Sequence, residues 1–402
     1  MKTRTVQLGT VCEFIRGVTF DKADATTRPE VGKTPILRAG NIGDELDVQN
    51  DLVWVPDAQV SDEQRLRQND IAICMSSGSP EVVGKTARVP CNLPASIGSF
   101  CGIIRPKSPD EASYLSFFFR SAAFKKYRDA IARGANIQNL RFSQFEEIEL
   151  DIPTDQRQIA GRLQQTDWLV RTRRYALELT DTFLAAAFLK IFGDPFKAPA
   201  AELARLQDLL ELDPQNGLYV PADRYVANGE PKGTEMVHMS DLFRGIVTPG
   251  GLKRALLETS EVAKYQLSEH DLLVARRSLA YEGAAQPCRV PPLKSPLVFE
   301  SSMIRIRPDR SRLLAVYLYY YLTNRAVREN RVRRYVTIST ISGINQDSLC
   351  RIEVVVPPLH QQQKFSAMVE RVERLRSVQR ESLRQAEHLF QTLLHQTFSG
   401  NV

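Results

Sequence analysis

Short apolar runs rich in β-branched residues, broken by turn-forming clusters, fill most of the first 155 positions and predict a series of short strands. The runs fall at 34–37, 52–55, 70–75, 85–89 and 100–105. Between them stand Gly40-Asn41, Gly43-Asp44 and Ser76-Ser77-Gly78-Ser79-Pro80, residue types that favour turns. A helical stretch over 111–132 follows, and a last strand ends at Ile152-Pro153. The period then changes. From Gln156 to Ile191 there is no proline and a single glycine, Gly161. Apolar residues recur there at a 4-3 spacing (Ile159, Leu163, Val170, Leu177, Leu184, Ala187, Ile191), with Thr166, Arg173 and Thr180 as exceptions. Pro195 and Pro199 mark a linker. Strands near 235–239, 271–275 and 302–307, a helix over 312–331 and a strand at 352–356 then repeat the order. From Gln361 to Phe398 there is neither glycine nor proline. The stripe there is Phe365, Val369, Val372, Leu383, Ala386, Phe390 and Leu393, interrupted by Arg376 and Gln379.

The second half of the chain therefore repeats the first, at an offset of 200 to 206 residues. Asp70-Ile71-Ala72-Ile73 returns as Asp271-Leu272-Leu273-Val274, Arg88-Val89-Pro90 as Arg289-Val290-Pro291, and Ile104-Arg105-Pro106 as Ile306-Arg307-Pro308. Tyr114-Leu115 returns as Tyr317-Leu318, and Ile148 to Pro153 as Ile352 to Pro357. A unit this long is a duplicated domain and not a solenoid repeat. The predicted fold is a duplicated α/β (α+β) chain, with two mixed domains joined by two long antiparallel coiled-coil helices in pseudo-two-fold symmetry. The boundaries read 1–155, a long helix 156–193, a linker 194–204, a second domain 205–360 and a long helix 361–402. Heptad spacing sustained this far argues for a coiled-coil seam; the alternative is a long amphipathic helix lying on its own domain. Each helix would be roughly 54 Å long at 1.5 Å per residue. Antiparallel packing would put the two domains at opposite ends of a rod, a ruler holding two similar surfaces a fixed distance apart.

Net charge is +6 with pI near 9.0, which favours an acidic partner such as nucleic acid. Of the 53 basic residues 14 are lysine, leaving 39 arginines, the side chain that forks onto phosphate and guanine. The six cysteines (Cys12, Cys74, Cys91, Cys101, Cys288, Cys350) form no C-x-x-C pair and the five histidines do not gather beside them, which argues against zinc. The longest apolar run, 313–322, is too short to span a bilayer, and no signal pattern opens the chain, so a cytoplasmic location is expected.

Catalytic motifs fail on inspection. Gly78 to Thr86 resembles a phosphate-binding loop but places five residues between its glycines where that loop has four, and Ala285-Gln286 replaces Gly84-Lys85 in the second unit. Gly84 reads better as a turn that starts a strand. The Pro-Pro pairs, Pro291-Pro292 and Pro357-Pro358, lack the preceding Asn or Asp of a base-methylating loop. No nuclease carboxylate cluster and no Ser/His/Asp or Cys/His set recurs in both units. What remains is a set of polar and basic loops. The first unit offers Arg16, Ser76, Ser77, Ser79, Lys85, Arg133, Asn136, Gln138 and Asn139. The second offers Arg276, Arg277, Ser278, Tyr281, Gln286, Arg333, Arg334, Tyr335, Ser339 and Thr340. Such residues suit groove reading: Arg to guanine, Asn or Gln to adenine, Ser or Thr to either. Scaffold segments match between the units whereas these loops differ, as expected of two modules reading different sequences.

With the repeat, the Ile152-Pro153 to Gln156 and Val356-Pro357 to Gln361 lead-ins to the long helices, and the Phe398-Ser399-Gly400 terminus, the chain resembles the DNA-specificity subunit of type I restriction–modification systems. The resemblance implies two target-recognition domains, each reading half of a bipartite double-stranded DNA site. It also implies helices that set the spacer and dock two methyltransferase subunits, a restriction/translocase subunit as further partner, and no membrane partner. AdoMet, ATP and magnesium would belong to those partners, with no cofactor and no catalytic residue on this chain. The other class of reading keeps the architecture as a non-catalytic scaffold that joins proteins without reading DNA.

Overall fold

The computed structural model describes residues 3–79, 81–132, 139–198, 202–227, 230–338 and 340–399. It divides into two compact units. Unit 1 comprises Met1–Tyr175 with Arg380–Val402, and unit 2 comprises Ala176–Gln379.

In unit 1 a four-stranded antiparallel sheet has the order β2 (Cys12–Arg16), β8 (Cys101–Pro106), β5 (Ile71–Cys74), β6 (Thr86–Arg88). Beside it lies a three-stranded sheet of β4 (Val53–Pro56), β3 (Lys33–Leu37) and β7 (Ser96–Ile97), with β3 antiparallel to β4 and parallel to β7. β1 (Thr3–Gln7) pairs with β9 (Glu149–Pro153). Unit 2 repeats these three sheets. Its four-stranded sheet runs β11 (Leu210–Asn216), β18 (Met303–Pro308), β14 (Leu272–Ala275), β16 (Pro287–Arg289). The three-stranded sheet is β13 (Arg254–Ala255), β12 (Thr234–Val237) and β17 (Leu297–Phe299), and β10 (Leu203–Arg205) pairs with β20 (Glu353–Val355). β11 tolerates Pro214 and two register shifts because it is an edge strand.

The central strands read as continuous apolar runs because both of their faces are covered. Successive side chains of a strand point to opposite faces. Ile71, Ile73 and Ile104 accordingly join the helix-side core of unit 1, and Ala72, Cys74 and Ile103 join the core under the small sheet. In unit 2 Leu272, Val274, Ile304 and Ile306 face the first core, and Leu273, Ala275 and Met303 the second. The scaffold repeats noted in sequence have structural causes. Asp70 is forked by Arg105, and Asp271 by Arg307, across adjacent strands of each sheet. Tyr114 and Tyr317 each donate their hydroxyl to a carbonyl, of Asp151 and of Val355.

The helical stretch expected over 111–132 is two helices, Pro109–Phe118 and Ala122–Ala132. Ser121 restarts the chain as an N-cap, its hydroxyl accepting from the Phe124 N–H at 3.2 Å. The stretch expected over 312–331 also breaks. Ala315–Thr323 ends at Asn324, whose side chain accepts from the Val327 N–H at 3.2 Å, and short irregular turns follow.

Two long helices, Gln156–Phe192 and Leu359–Phe398, each contribute to both units. Within unit 1 the start of the first packs with the end of the second: Ala160, Leu163 and Val170 share a core with Ala386, Phe390, Leu394 and Phe398. Arg174 meets Glu387 at 3.1 Å. Within unit 2 the end of the first lies against the start of the second, with the Phe188 and Phe365 rings 5.5 Å apart. Local packing is thus antiparallel in each unit, and each domain rests on the beginning of one helix and the end of the other. Cys12, Cys74, Cys101 and Cys288 are buried free thiols, and burial pushes Cys12 and Cys288 up to about 12.

Candidate nucleic-acid interface

Antiparallel pairing brings the same ends of alternate strands to one edge of a sheet. In unit 1 that edge collects the end of β2 at Arg16, the start of β8 at Cys101, the end of β5 at Cys74 and the start of β6 at Thr86. The register Arg16↔Gly102 and Cys74↔Cys101 sets them side by side. In unit 2 it collects Asn216, Met303, Ala275 and Pro287, in the register Asn216↔Ile304, Ala275↔Met303 and Val274↔Pro287. Of the polar loops singled out in sequence, the one at 76–79 follows β5 and the one at 276–278 follows β14 at these edges.

In unit 1 Ser76 bridges Asn139, its N–H donates to the Phe100 carbonyl at 3.0 Å, and the Leu140 N–H donates to Met75 at 2.9 Å. Two loops far apart in sequence therefore meet at one place. Ser77 accepts from the Ser79 N–H at 3.2 Å. Arg16, Ser79, Lys85 and Asn139 are exposed, and Ser76 and Ser77 half-buried. Arg133, Asn136 and Gln138 lie outside the described residues.

In unit 2 the corresponding loops form a small ribbon. β15 (Arg277–Ser278) pairs with β19 (Ser342–Gly343) in the register Arg277↔Gly343 and Ser278↔Ser342. Thr337 exchanges backbone hydrogen bonds with Gly343 at 2.8 and 3.1 Å, adding a third segment. Thr340 is exposed on the ribbon, and Ser339 lies outside the described residues. The arginines divide by what already holds them. Arg276 is half-buried and donates to the Ser301 carbonyl at 3.3 Å. Arg333 pairs with Glu329, donates to the Tyr281 hydroxyl at 2.8 Å and lies over that ring, and these hydrogen bonds raise its pKa. Arg334 pairs with Glu353 at 2.8 Å and lies over Tyr335, whose hydroxyl donates to the Arg351 carbonyl. Arg277 is exposed and makes no ion pair among the described residues, so its guanidinium is the one most available to an anion. Gln286 is half-buried, its carbonyl accepting from Ala275 at 2.9 Å.

The segment that resembles a phosphate loop is a turn that starts β6. Gly84 sits at φ +78° and donates to Cys74 at 2.8 Å; Ala285 holds the same place before β16 at φ 59°, donating to Ala275 at 2.9 Å. A Cβ at Gly84 would come within 2.4 Å of Arg128 Cδ. Gly84→Ala should therefore destabilise unit 1 by about 1–2 kcal/mol, the cost of a left-handed non-glycine residue. Ala285→Gly should be neutral or stabilising, and urea midpoints of the two variants should move in opposite directions or only the first should move.

Sequence patterns missed several residues at the edges. Asn216 stands where unit 1 has Arg16, and Ser302 where it has Phe100, which is 68% exposed. The glycines Gly17 and Gly217 were the available signal. A Cβ on either would meet a backbone carbonyl at 2.1 Å, of Gly98 and Glu300 respectively, which aligns the residues before them. Elsewhere in unit 1 a cavity of about 540 Å³ is lined by Asp44, Arg120, Asp167 and Arg171. Its charges are already matched, with Asp167 held by Arg120 at 2.8 Å and Arg171 at 2.7 Å. No group of three His, Cys, Asp or Glu side chains among the described residues could hold a metal ion, and none of their helices is long and apolar enough to cross a membrane.

Residues 2–178 and 201–387 each match the family model described as the type I restriction modification DNA specificity domain. The chain belongs to the type I DNA-specificity family. It is 27% identical to the StySPI specificity subunit of Salmonella potsdam over 99% of this chain and 89% of that protein. It is 25% identical to the EcoKI specificity subunit of Escherichia coli K12 over 98% and 88%. Its fold is similar to the crystal structure of the S subunit from M. genitalium, with TM-score 0.57, 13% identity and coverage of 98% and 95%. As a specificity subunit of a type I restriction–modification system it is non-catalytic and carries two target-recognition domains, and DNA and the modification and restriction subunits are its partner classes. Each of the two matched segments contains one of the two sheet edges described above.

Proposed function

We propose that each sheet edge reads one half of a bipartite duplex site, unit 1 through Arg16, Ser76, Ser77, Ser79, Lys85 and Asn139, and unit 2 through Arg276, Arg277, Ser278, Gln286 and Thr340. Arg333, Arg334, Tyr281 and Tyr335 brace the second surface. One observation carries this reading: the same strand ends are built twice and furnished with different chemistry, Arg16 against Asn216, Phe100 against Ser302, Met75-Ser76 against Arg276-Arg277. Two readers of one sequence would need no such difference.

The long helices set the unread spacer, with half-sites about 10 base pairs apart centre to centre if both are read from one face. They also carry apolar side chains that their own units leave exposed: Trp168 and Tyr175 in unit 1, Leu179, Phe183, Leu375 and Val378 in unit 2. These suit the docking of two methyltransferase subunits. A restriction/translocase subunit completes the assembly. AdoMet, ATP and magnesium belong to the partners, and the complex works in the cytoplasm.

Arg277→Ala tests the reading. In complex with its methyltransferase, the variant should lose about 1–3 kcal/mol at one base pair of the second half-site and keep the first half-site intact. Methylation mapping checks it. Equal weakening on all duplexes would make Arg277 a phosphate contact, and no change would remove it from the interface.

A further inference from the structure

A scattered exposed leucine means little on any protein surface. The ribbon of unit 2 carries something more concentrated. Leu279 is 86% exposed, Ile338 74% and Ile341 50%. The pairing of Ser278 with Ser342 and of Thr337 with Gly343 places Leu279, Ile338 and Ile341 next to paired positions of the same ribbon. Arg277 is in the ribbon itself, and Arg333 and Arg334, paired with Glu329 and Glu353, lie in the turn that leads into it. In unit 1 Gly78 stands at the place of Leu279.

Aliphatic tips set among arginines fit a polyanion with a methyl group on its readable surface. The major groove admits a two-stranded β-ribbon, and the apolar group among its base edges is the thymine C5-methyl. We propose that Leu279 and Ile338 are specificity-determining residues that contact thymine methyl groups in the second half-site. This rests on the DNA-reading role proposed above and goes further, because it assigns a base to that half-site. Ile341, next to Ser342 in the same ribbon, adds a further exposed aliphatic side chain. The inference also accounts for a ribbon that keeps large apolar side chains in water when the protein is free.

The test uses the complex of the full chain with its methyltransferase, on duplexes in which each thymine of the mapped site is replaced singly by deoxyuridine. That change removes one methyl group and leaves base pairing intact. Replacement of at least one thymine in the second half-site should weaken binding about fourfold, the worth of one buried methyl. The penalty should vanish in Leu279→Ala or in Ile338→Ala, while recognition of the first half-site is unchanged in both. Either variant suffices if the other fails to fold. A second half-site without thymine, neutral replacement at every thymine, or a penalty that persists in both variants would overturn the proposal and leave the two-edge reading standing. Failure of the native complex to prefer its mapped site over scrambled duplex would instead sink that reading, and this proposal with it.

Discussion

Asp70→Ala is expected to destabilise the first unit by about 3–5 kcal/mol, because it strands a buried guanidinium without its counter-ion. Asp70 is 1% exposed, and Arg105 grips both its carboxylate oxygens at 2.8 Å, from Nε and Nη2. Arg105 also donates to the carbonyls of Glu63 and Arg65 at 3.0 and 2.9 Å, so the pair ties the loop ahead of β5 to β8. Those two carbonyls remain after the substitution, but they carry no charge to balance the arginine. The same fork recurs between Asp271 and Arg307 at 2.6 and 2.9 Å, and it raises the Arg307 pKa. The Arg307 side chain is 21% exposed against 11% for Arg105, so water reaches it better and Asp271→Ala should cost less. Hydrogen exchange should show β5 and β8 losing protection in the first variant, and β14 and β18 in the second. A loss below about 1 kcal/mol for Asp70→Ala would mean that the guanidinium finds water or a new partner.

Phe398→Ala should loosen the first domain although it lies at the opposite end of the sequence. Phe398 is 1% exposed, its ring 5.0 Å from Tyr114 and 5.8 Å from Phe118. Deleting a buried phenyl group costs about 3–5 kcal/mol, part transfer and part cavity. The expected result is loss of exchange protection in Pro109–Phe118 and β9, with unit 2 unaffected. Loss confined to the last turn of the second long helix would show that the first domain stands without that anchor.

Features governed by local pattern were legible in the sequence. The strands at 71–74 and 101–106 stand out because both faces are apolar, and the long helices because nothing breaks their period. Features that depend on distant partners were not. β1 and β10 are short, and their pairing strands β9 and β20 lie some 150 residues downstream. The breaks at Ser121 and Asn324 rest on single capping side chains inside otherwise helical stretches, which a periodicity count passes over. For the interface, residue types and loops were visible but their meeting was not, since Ser76 reaches Asn139 and Arg277 reaches Gly343 only through the fold. Glu329, four residues before Arg333, was a visible sign that this arginine is already paired; Glu353 beside Arg334 was not.

The most direct test of two readers coupled through helices is methylation mapping of a chain with four extra residues in both long helices. One helical turn adds about 6 Å, close to two base-pair steps. The modified motif should keep both half-sites and carry a spacer longer by one or two base pairs. A motif with its original spacer, in a complex that still methylates, would contradict the central claim.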